Sequence, residues 1–340
     1  MRGSRNFLTE FHTVQVTPFP ERIASLPKAE LHLHLEGSIR PAIASALAAR
    51  HGVALTEEEV RRRYAYTNFA GFLDAFKWVT SFVRDPGDFA LIAADLAEQL
   101  LEQKVAYAEV TLSVGVMFLR QQQPEANFAA ILKATEPFEK RGLRLNWIFD
   151  AVRHFGAEAA TRVVQAARRC QSRRIVAFGI GGDELSLPAG EFRGVYERAA
   201  EYGFHRLMHA GEIGGPEKIR EAVEILGVER IGHGIAAIHD AALMEMLAER
   251  GIPLEICPAS NLRTGALGVQ MGKSSATMEE HPLGEIVRRG VAVALSTDDP
   301  AMFHTSLEEE YRNAWGLGLT EEQLGELVEN GFRYAFGAVR

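Results

Sequence analysis

Cysteine is almost absent: Cys170 and Cys257 are the only two in 340 residues, and they lie far apart. That excludes a disulfide framework and any Cys-x-x-Cys metal or redox site, fits a cytoplasmic setting, and leads us to expect both thiols buried as small apolar side chains. No apolar run approaches the ~20 residues needed to span a bilayer, so no membrane partner is expected. The opening Met1-Arg2-Gly3-Ser4 is not followed by the apolar core of a secretory leader. Basic blocks are missing too. With 37 Lys and Arg against 45 Asp and Glu, the formal net charge is −8, which leaves no nucleic-acid footprint. Low-complexity linkers and internal repeats are absent beyond a strand–helix rhythm. What remains is 47% hydrophobic and 24% charged, the make-up of a globular chain long enough for one large α/β barrel or two ordinary domains.

The rhythm decides between those. Apolar runs at 29–35, 105–112, 143–150, 175–181, 205–210, 230–233, 253–257 and 292–297 read as eight strands separated by amphipathic segments. Residues 216–227 are punctuated as a helix, with Pro216 at its start, Ile219, Val223 and Leu226 on one face and Gly227 at its stop. Thr56 with Glu59, and Thr320 with Gln323, read as capping boxes. Near-continuous apolar strands alternating with helices predict a parallel sheet, and eight such units a (β/α)8 TIM barrel. Residues 36–104 are too long for one connection. They predict a helical insertion after the first strand, about 41–100, within a single domain spanning 1–340. Its aromatic stretch, Asn68 to Trp78, is expected to pack on the barrel, with the alternative of covering the substrate.

Within this frame the histidines stand out. In Glu30-Leu31-His32-Leu33-His34-Leu35 the strand period of two puts His32 and His34 on one face, where two imidazoles can grip one ion. Leu207-Met208-His209-Ala210-Gly211-Glu212 brings a third histidine to a strand end, with a carboxylate in the following turn. Arg230-Ile231-Gly232-His233-Gly234 flanks a fourth with glycines that allow close approach to the backbone. An apolar strand ends in Ser296-Thr297-Asp298-Asp299-Pro300. Each alone has a plain structural reading: half-buried strand histidines, a helix-start carboxylate, a capped turn. Together they fall at the ends of candidate strands one, five, six and eight, and so at one barrel mouth. The set His32, His34, His209 and Asp298 suits a single catalytic zinc per chain.

These strings, with Leu26-Pro27-Lys28-Ala29 before the first, Leu35-Glu36-Gly37-Ser38 after it, Gly182-Asp183-Glu184 and Cys257-Pro258-Ala259-Ser260-Asn261, resemble the adenosine deaminase family of the amidohydrolase superfamily, from residue 26 to 300. The resemblance implies a zinc-dependent aminohydrolase that replaces the exocyclic amine of a purine with oxygen and releases ammonia. It makes His32, His34, His209 and Asp298 the zinc ligands and Glu212 the proton donor to ring N1. His233 and Asp299 would orient the attacking oxygen at C6, and the Gly182 N–H would contact N3. His34, Glu36 and Asp299 are further expected substrate contacts.

The string departs from animal-type members, which carry Asp where this chain has Glu36. Glu there resembles bacterial branches, including adenine deaminases and the 6-aminodeoxyfutalosine deaminases of menaquinone synthesis. Arg40 and Arg263 are candidates to meet the benzoate carboxylate of 6-aminodeoxyfutalosine, with solvated surface arginines as the plain alternative. Adenosine and 6-aminodeoxyfutalosine stand nearly even as substrates. An adenine deaminase or a non-catalytic purine-binding barrel is the alternative reading, and the oligomeric state is left open. The cytidine-type zinc fold is excluded by the missing Cys-x-x-Cys, and residues 175–184 hold no Lys to bridge two metals.

Overall fold

The computed structural model describes residues 18–337, so the Met1-Arg2-Gly3-Ser4 stretch lies outside them. Eight strands form one sheet in the order β1 to β8: β1 Lys28–His34, β2 Val105–Leu112, β3 Arg144–Val152, β4 Ile175–Gly181, β5 His205–Ala210, β6 Arg230–His233, β7 Leu254–Ile256 and β8 Val293–Leu295. Each neighbouring pair is parallel. A parallel bridge between Leu33 and Asp298 joins the two edges. This is the (β/α)8 barrel expected from the rhythm.

The strand positions match the apolar runs with small, explicable differences. β8 stops at Leu295 because the chain must turn into the site: Asp298 adopts φ 65°, a left-handed conformation that no strand continues through. β7 begins after Pro253, which has no N–H to give a ladder. Of the cysteines, Cys257 is buried, but Cys170 at the end of the Gly156–Cys170 helix is only partly so.

Four helices, Pro41–Arg50, Glu57–Arg63, Phe69–Thr80 and Pro86–Glu102, fill the stretch between β1 and β2. Thr56 and Thr320 both form the expected capping boxes, and Gly227 closes the Pro216–Leu226 helix at φ 63°.

One end of the barrel is filled by charge. Arg230 is 1% exposed and sits between Glu109 Oε2 at 2.7 Å and Glu255 Oε1 at 2.5 Å. The Phe336 ring lies over its guanidinium at 3.7 Å, and the Phe336 N–H donates to Glu109 Oε1 at 2.6 Å. A buried cation needs such partners, since desolvating it alone costs several kcal/mol. Glu255 links this layer to the opposite end, where its second carboxylate oxygen meets His32.

Candidate active site

The C-terminal ends of β1, β5 and β6 bring His32, His34, His209 and His233 into mutual contact, with ring centroids 4.6–5.5 Å apart among the paired rings. The chain after β8 adds Asp298. Its Oδ1 lies 3.6 Å from His32 Nε2 and 3.3 Å from His34 Nε2. Its Oδ2 accepts from Ser260 Oγ at 2.6 Å and lies 3.9 Å from His233 Nε2. Asp298 and His233 are both held at left-handed φ, 65° and 61°. Non-glycine residues tolerate that conformation at a cost, and it clusters at functional sites.

The residues fit a metal ion. His32 Nδ1 bonds Glu255 Oε2 at 2.8 Å, which leaves Nε2 buried with no hydrogen-bond partner and aimed at the cluster. A carboxylate behind a ligating imidazole is the usual means of fixing its tautomer. His32, His209, His233 and Asp298 each offer a ligand atom within 4.8 Å of one another, and His34 reaches the same Asp298 oxygen.

Burial holds His34, His209 and His233 neutral, down to about 3, despite the nearby Asp298 charge. Burial also opposes charge on His32, but the Asp298 and Glu255 carboxylates override it and push it up to about 10. Burial alone would raise Asp298; the surrounding imidazoles hold it well below the ordinary range. The two carboxylates thus favour positive charge at His32 Nε2, and a bound metal cation would supply it there in place of a proton.

Glu212 stands beside this cluster, its Oε2 3.6 Å from His233 Nε2. Burial, reinforced by the charges of Asp298 and Glu184, pushes its carboxyl up to about 8. Its loop is built for position. The Glu184 carboxylate accepts the backbone N–H groups of Gly211, Glu212, Ile213 and Gly214, and Gln270 Nε2 donates to the carbonyls of Glu212 and Gly214 at 2.9 Å each. Asp299 is raised well above its usual range by burial and by Asp298 next to it. Its Oδ1 is buried without a partner.

Glycines make room for these groups. A Cβ on Gly37 would fall 1.7 Å from Asp299 Oδ1, and one on Gly232 would fall 2.8 Å from His32 Cε1. Gly182, at φ 92°, presents bare backbone to the cavity.

The cavity measures about 330 Å³. At its floor are His34, Gly182, His209, Glu212, His233, Asp298 and Asp299. Its outer wall is apolar, with Phe69, Phe72, Leu73 and Phe76 from the Phe69–Thr80 helix facing Leu119, Val152 and Phe155, and Lys77 and Arg120 among them. The aromatic stretch therefore packs on the barrel, Phe72 against Phe303 at 5.0 Å, and lines the cavity as well.

Three expected substrate contacts are not among the residues lining this cavity. Glu36 lines a crevice that shares Phe76, Thr80, Ser113, Val116 and Arg120 with the cavity. The chain leaves β1 in a 3-10 turn, Glu36–Ser38, which directs its carboxylate onto the Ser113 N–H at 3.2 Å, in a crevice beside Arg120. Arg40 immediately precedes the Pro41–Arg50 helix and pairs with Asp95, its Nε 3.0 Å from Oδ2. Arg263 ends the Pro258–Arg263 helix exposed, next to Thr264, which does line the cavity. Conversely, Glu255, Ser260 and Asn261 hold the site residues, and Asp150 lies buried on the cavity wall. The sequence signalled Ser260 and Asn261 only as part of a motif, and Glu255 and Asp150 not at all.

Residues 27–339 match the family model described as adenosine deaminase. The chain belongs to the adenosine deaminase family. It is therefore a metal-dependent hydrolase of C–N bonds. It is 39% identical over 321 residues to the aminodeoxyfutalosine deaminase of Streptomyces coelicolor, covering 92% of this chain and 81% of that one. It is 34% identical over 323 residues to an adenine deaminase of the same organism, covering 93% of this chain and 92% of that one. Among solved structures it is similar to adenine deaminase from Arthrobacter aurescens, at 29% identity and TM-score 0.84, over 92% of this chain and 94% of that one.

Proposed function

We propose that this family member deaminates a 6-aminopurine nucleoside whose sugar bears an aryl carboxylate, of the 6-aminodeoxyfutalosine type, giving the 6-oxo purine and ammonia. The observation that carries the chemistry is Glu212: a carboxyl 3.6 Å from His233, pushed up to about 8 by burial and by the charges of Asp298 and Glu184. In this reading His32, His34, His209 and Asp298 hold one zinc ion, and neutral imidazoles with one carboxylate oxygen suit it. His34 completes the set because it shares Asp298 Oδ1 with His32, whereas Oδ2 is taken by Ser260. Zinc supplies Lewis acidity that makes water nucleophilic near neutral pH.

The chain's own groups do the rest. Glu212 donates its proton to ring N1, which weakens the aromatic system and makes C6 electrophilic. Asp299 and His233 flank the incoming water on the other side. The Gly182 N–H orients the ring through N3. Water adds at C6 and gives one proton to Asp299, which passes it to the amine; the C6–N bond breaks, ammonia leaves, and the hydroxyl proton of the adduct returns to Glu212 as the 6-oxo group forms.

The outer wall supports the substituted nucleoside over the free base, since adenine alone would leave the Phe69, Phe72, Phe76 and Leu119 surface uncovered. Arg120 supports the carboxylate. Its hydrogen bonds go to the neutral Thr80 carbonyl, Thr80 Oγ1 and the Lys77 carbonyl, and burial pushes the neighbouring Glu36 carboxyl up to about 7, so Arg120 can still meet an anionic group. The test compares kcat/KM for adenine, adenosine and 6-aminodeoxyfutalosine. The carboxylated substrate is expected to lead, and its KM to rise at least about tenfold in Arg120→Met with adenosine little changed. Preference for adenine would overturn the substrate assignment.

A further inference from the structure

One buried hydrogen-bond chain runs from a helix terminus into the site. Leu283 opens the Leu283–Arg288 helix, so its N–H has no acceptor within the helix. That N–H donates to His281 Nδ1 at 3.1 Å. His281 Nε2 lies 3.2 Å from Asn261 Oδ1, and Asn261 Nδ2 lies 3.1 Å from His233 Nδ1. Asn261 and His281 are 0% and 5% exposed.

The direction of every bond follows from the first. A backbone N–H can only donate, so His281 Nδ1 is the unprotonated nitrogen. A neutral imidazole carries its proton on the other one, so His281 Nε2–H donates to the Asn261 oxygen. The Asn261 amide then turns its NH2 to His233, whose Nδ1 must accept. The opposite setting of the amide would require both nitrogens of His281 to be bare, an imidazolate with no cation beside it. Burial keeps His281 neutral, down to about 3.

We propose that His281 and Asn261 are positioning residues that lock His233 in the tautomer with the proton on Nε2, so that it enters the reaction as a hydrogen-bond donor facing Glu212 and Asp298, and neither as a metal ligand nor as a base. Its Nε2 lies 3.6 Å from Glu212 Oε2 and 3.9 Å from Asp298 Oδ2. The assignment rests on the deaminase reading for its consequence in catalysis, but the tautomer itself is a property of the resting protein. Failure of the relay therefore leaves the reaction class intact, and failure of the reaction class leaves the relay measurable.

The experiment is a long-range 1H–15N correlation spectrum of the full-length, zinc-loaded protein labelled with 15N-histidine, with the His233 signals identified by their loss in His233→Gln. The native spectrum is expected to show His233 Nδ1 unprotonated and Nε2 protonated; protonation at Nδ1 would overturn the relay. Asn261→Asp replaces the donor with a group that only accepts and is expected to move the His233 proton to Nδ1. An unchanged tautomer in that variant also counts against the proposal. In steady-state kinetics, His281→Phe frees the Asn261 amide and is expected to lower kcat by at least about tenfold with KM within about twofold. His281→Gln, which offers both a donor and an acceptor, is expected to recover most of that loss. Equal losses in Phe and Gln would indicate packing alone and sink the idea. Should Asn261→Asp not fold, the native spectrum and the His281 pair still decide.

Discussion

The backbone N–H of His34 donates to the carbonyl of Asp298 at 2.8 Å. The bond closes the barrel seam at the residue whose carboxylate faces the imidazoles, and the Asp298 N–H returns a bond to the His32 carbonyl at 3.0 Å. Closure of the sheet and assembly of the cluster are thus one local event, and side-chain effects at Asp298 can be separated from backbone effects. Asp298→Ala keeps both backbone bonds but removes the oxygen that His32 and His34 share. Metal content after dialysis is expected to fall to a small fraction of native, with the barrel intact by circular dichroism. Full zinc retention would remove Asp298 from the ligand set.

Glu255 tests the support behind the ligands. It holds His32 Nδ1 at 2.8 Å while Arg230 holds its other oxygen. Glu255→Gln keeps the shape but can turn its amide NH2 toward His32, favouring the tautomer with the proton on Nε2. Metal affinity measured by competition with a chelator is expected to drop about 10–100-fold, as for other carboxylates behind ligating imidazoles. Stability should fall as well, because Arg230 loses one of its two buried counter-charges.

Gly37 is a prediction about space. A Cβ there meets Asp299 Oδ1, Cγ and Cβ at 1.7, 2.3 and 2.5 Å. Those atoms belong to a short, buried side chain with little freedom to yield. Gly37→Ala is expected to cost roughly 1–3 kcal/mol of stability by overpacking and to cut kcat by displacing Asp299. Native activity with a native melting curve would show that Asp299 has room to move.

The legible parts of this site are those whose geometry is local. His32 and His34 share a face because a strand has period two, and the Gly232-His233-Gly234 step announces a close approach that the His32 ring makes. The strands were legible because both faces of a barrel strand are covered and read as apolar. The partner of Glu36 was not legible, because the 3-10 turn after His34 takes it off the strand direction and onto the Ser113 N–H, in the crevice adjoining the cavity. Nearness in sequence to site residues does not say where a long side chain goes: Arg40, at the start of its helix, pairs with Asp95, and Arg263, at the end of its helix, is exposed. Glu255 and His281 carried no signal because their partners, His32 and Asn261, come from other strands and loops, and no spacing rule links them.

Glu212 makes the strongest claim on pH. Its carboxyl is raised to about 8, first by burial and then by the charges of Asp298 and Glu184. The protonated form is the one that can donate to ring N1, so kcat/KM is expected to decline as pH rises through about 8, approaching tenfold per pH unit beyond it. The same shift bears on stability. Unfolded Glu212 ionises at an ordinary carboxylate pKa, while the folded group stays protonated until about 8. Its contribution to stability is therefore full below the unfolded value and is lost as pH rises through the window between the two. Glu212→Gln removes that dependence. The variant is expected to retain its metal, to be more stable than native at pH 8 by chemical denaturation with little difference at pH 4.5, and to lose activity by about 10²–10⁴-fold. A Glu212→Gln protein that turns over substrate at the native rate would take the proton donor out of the mechanism.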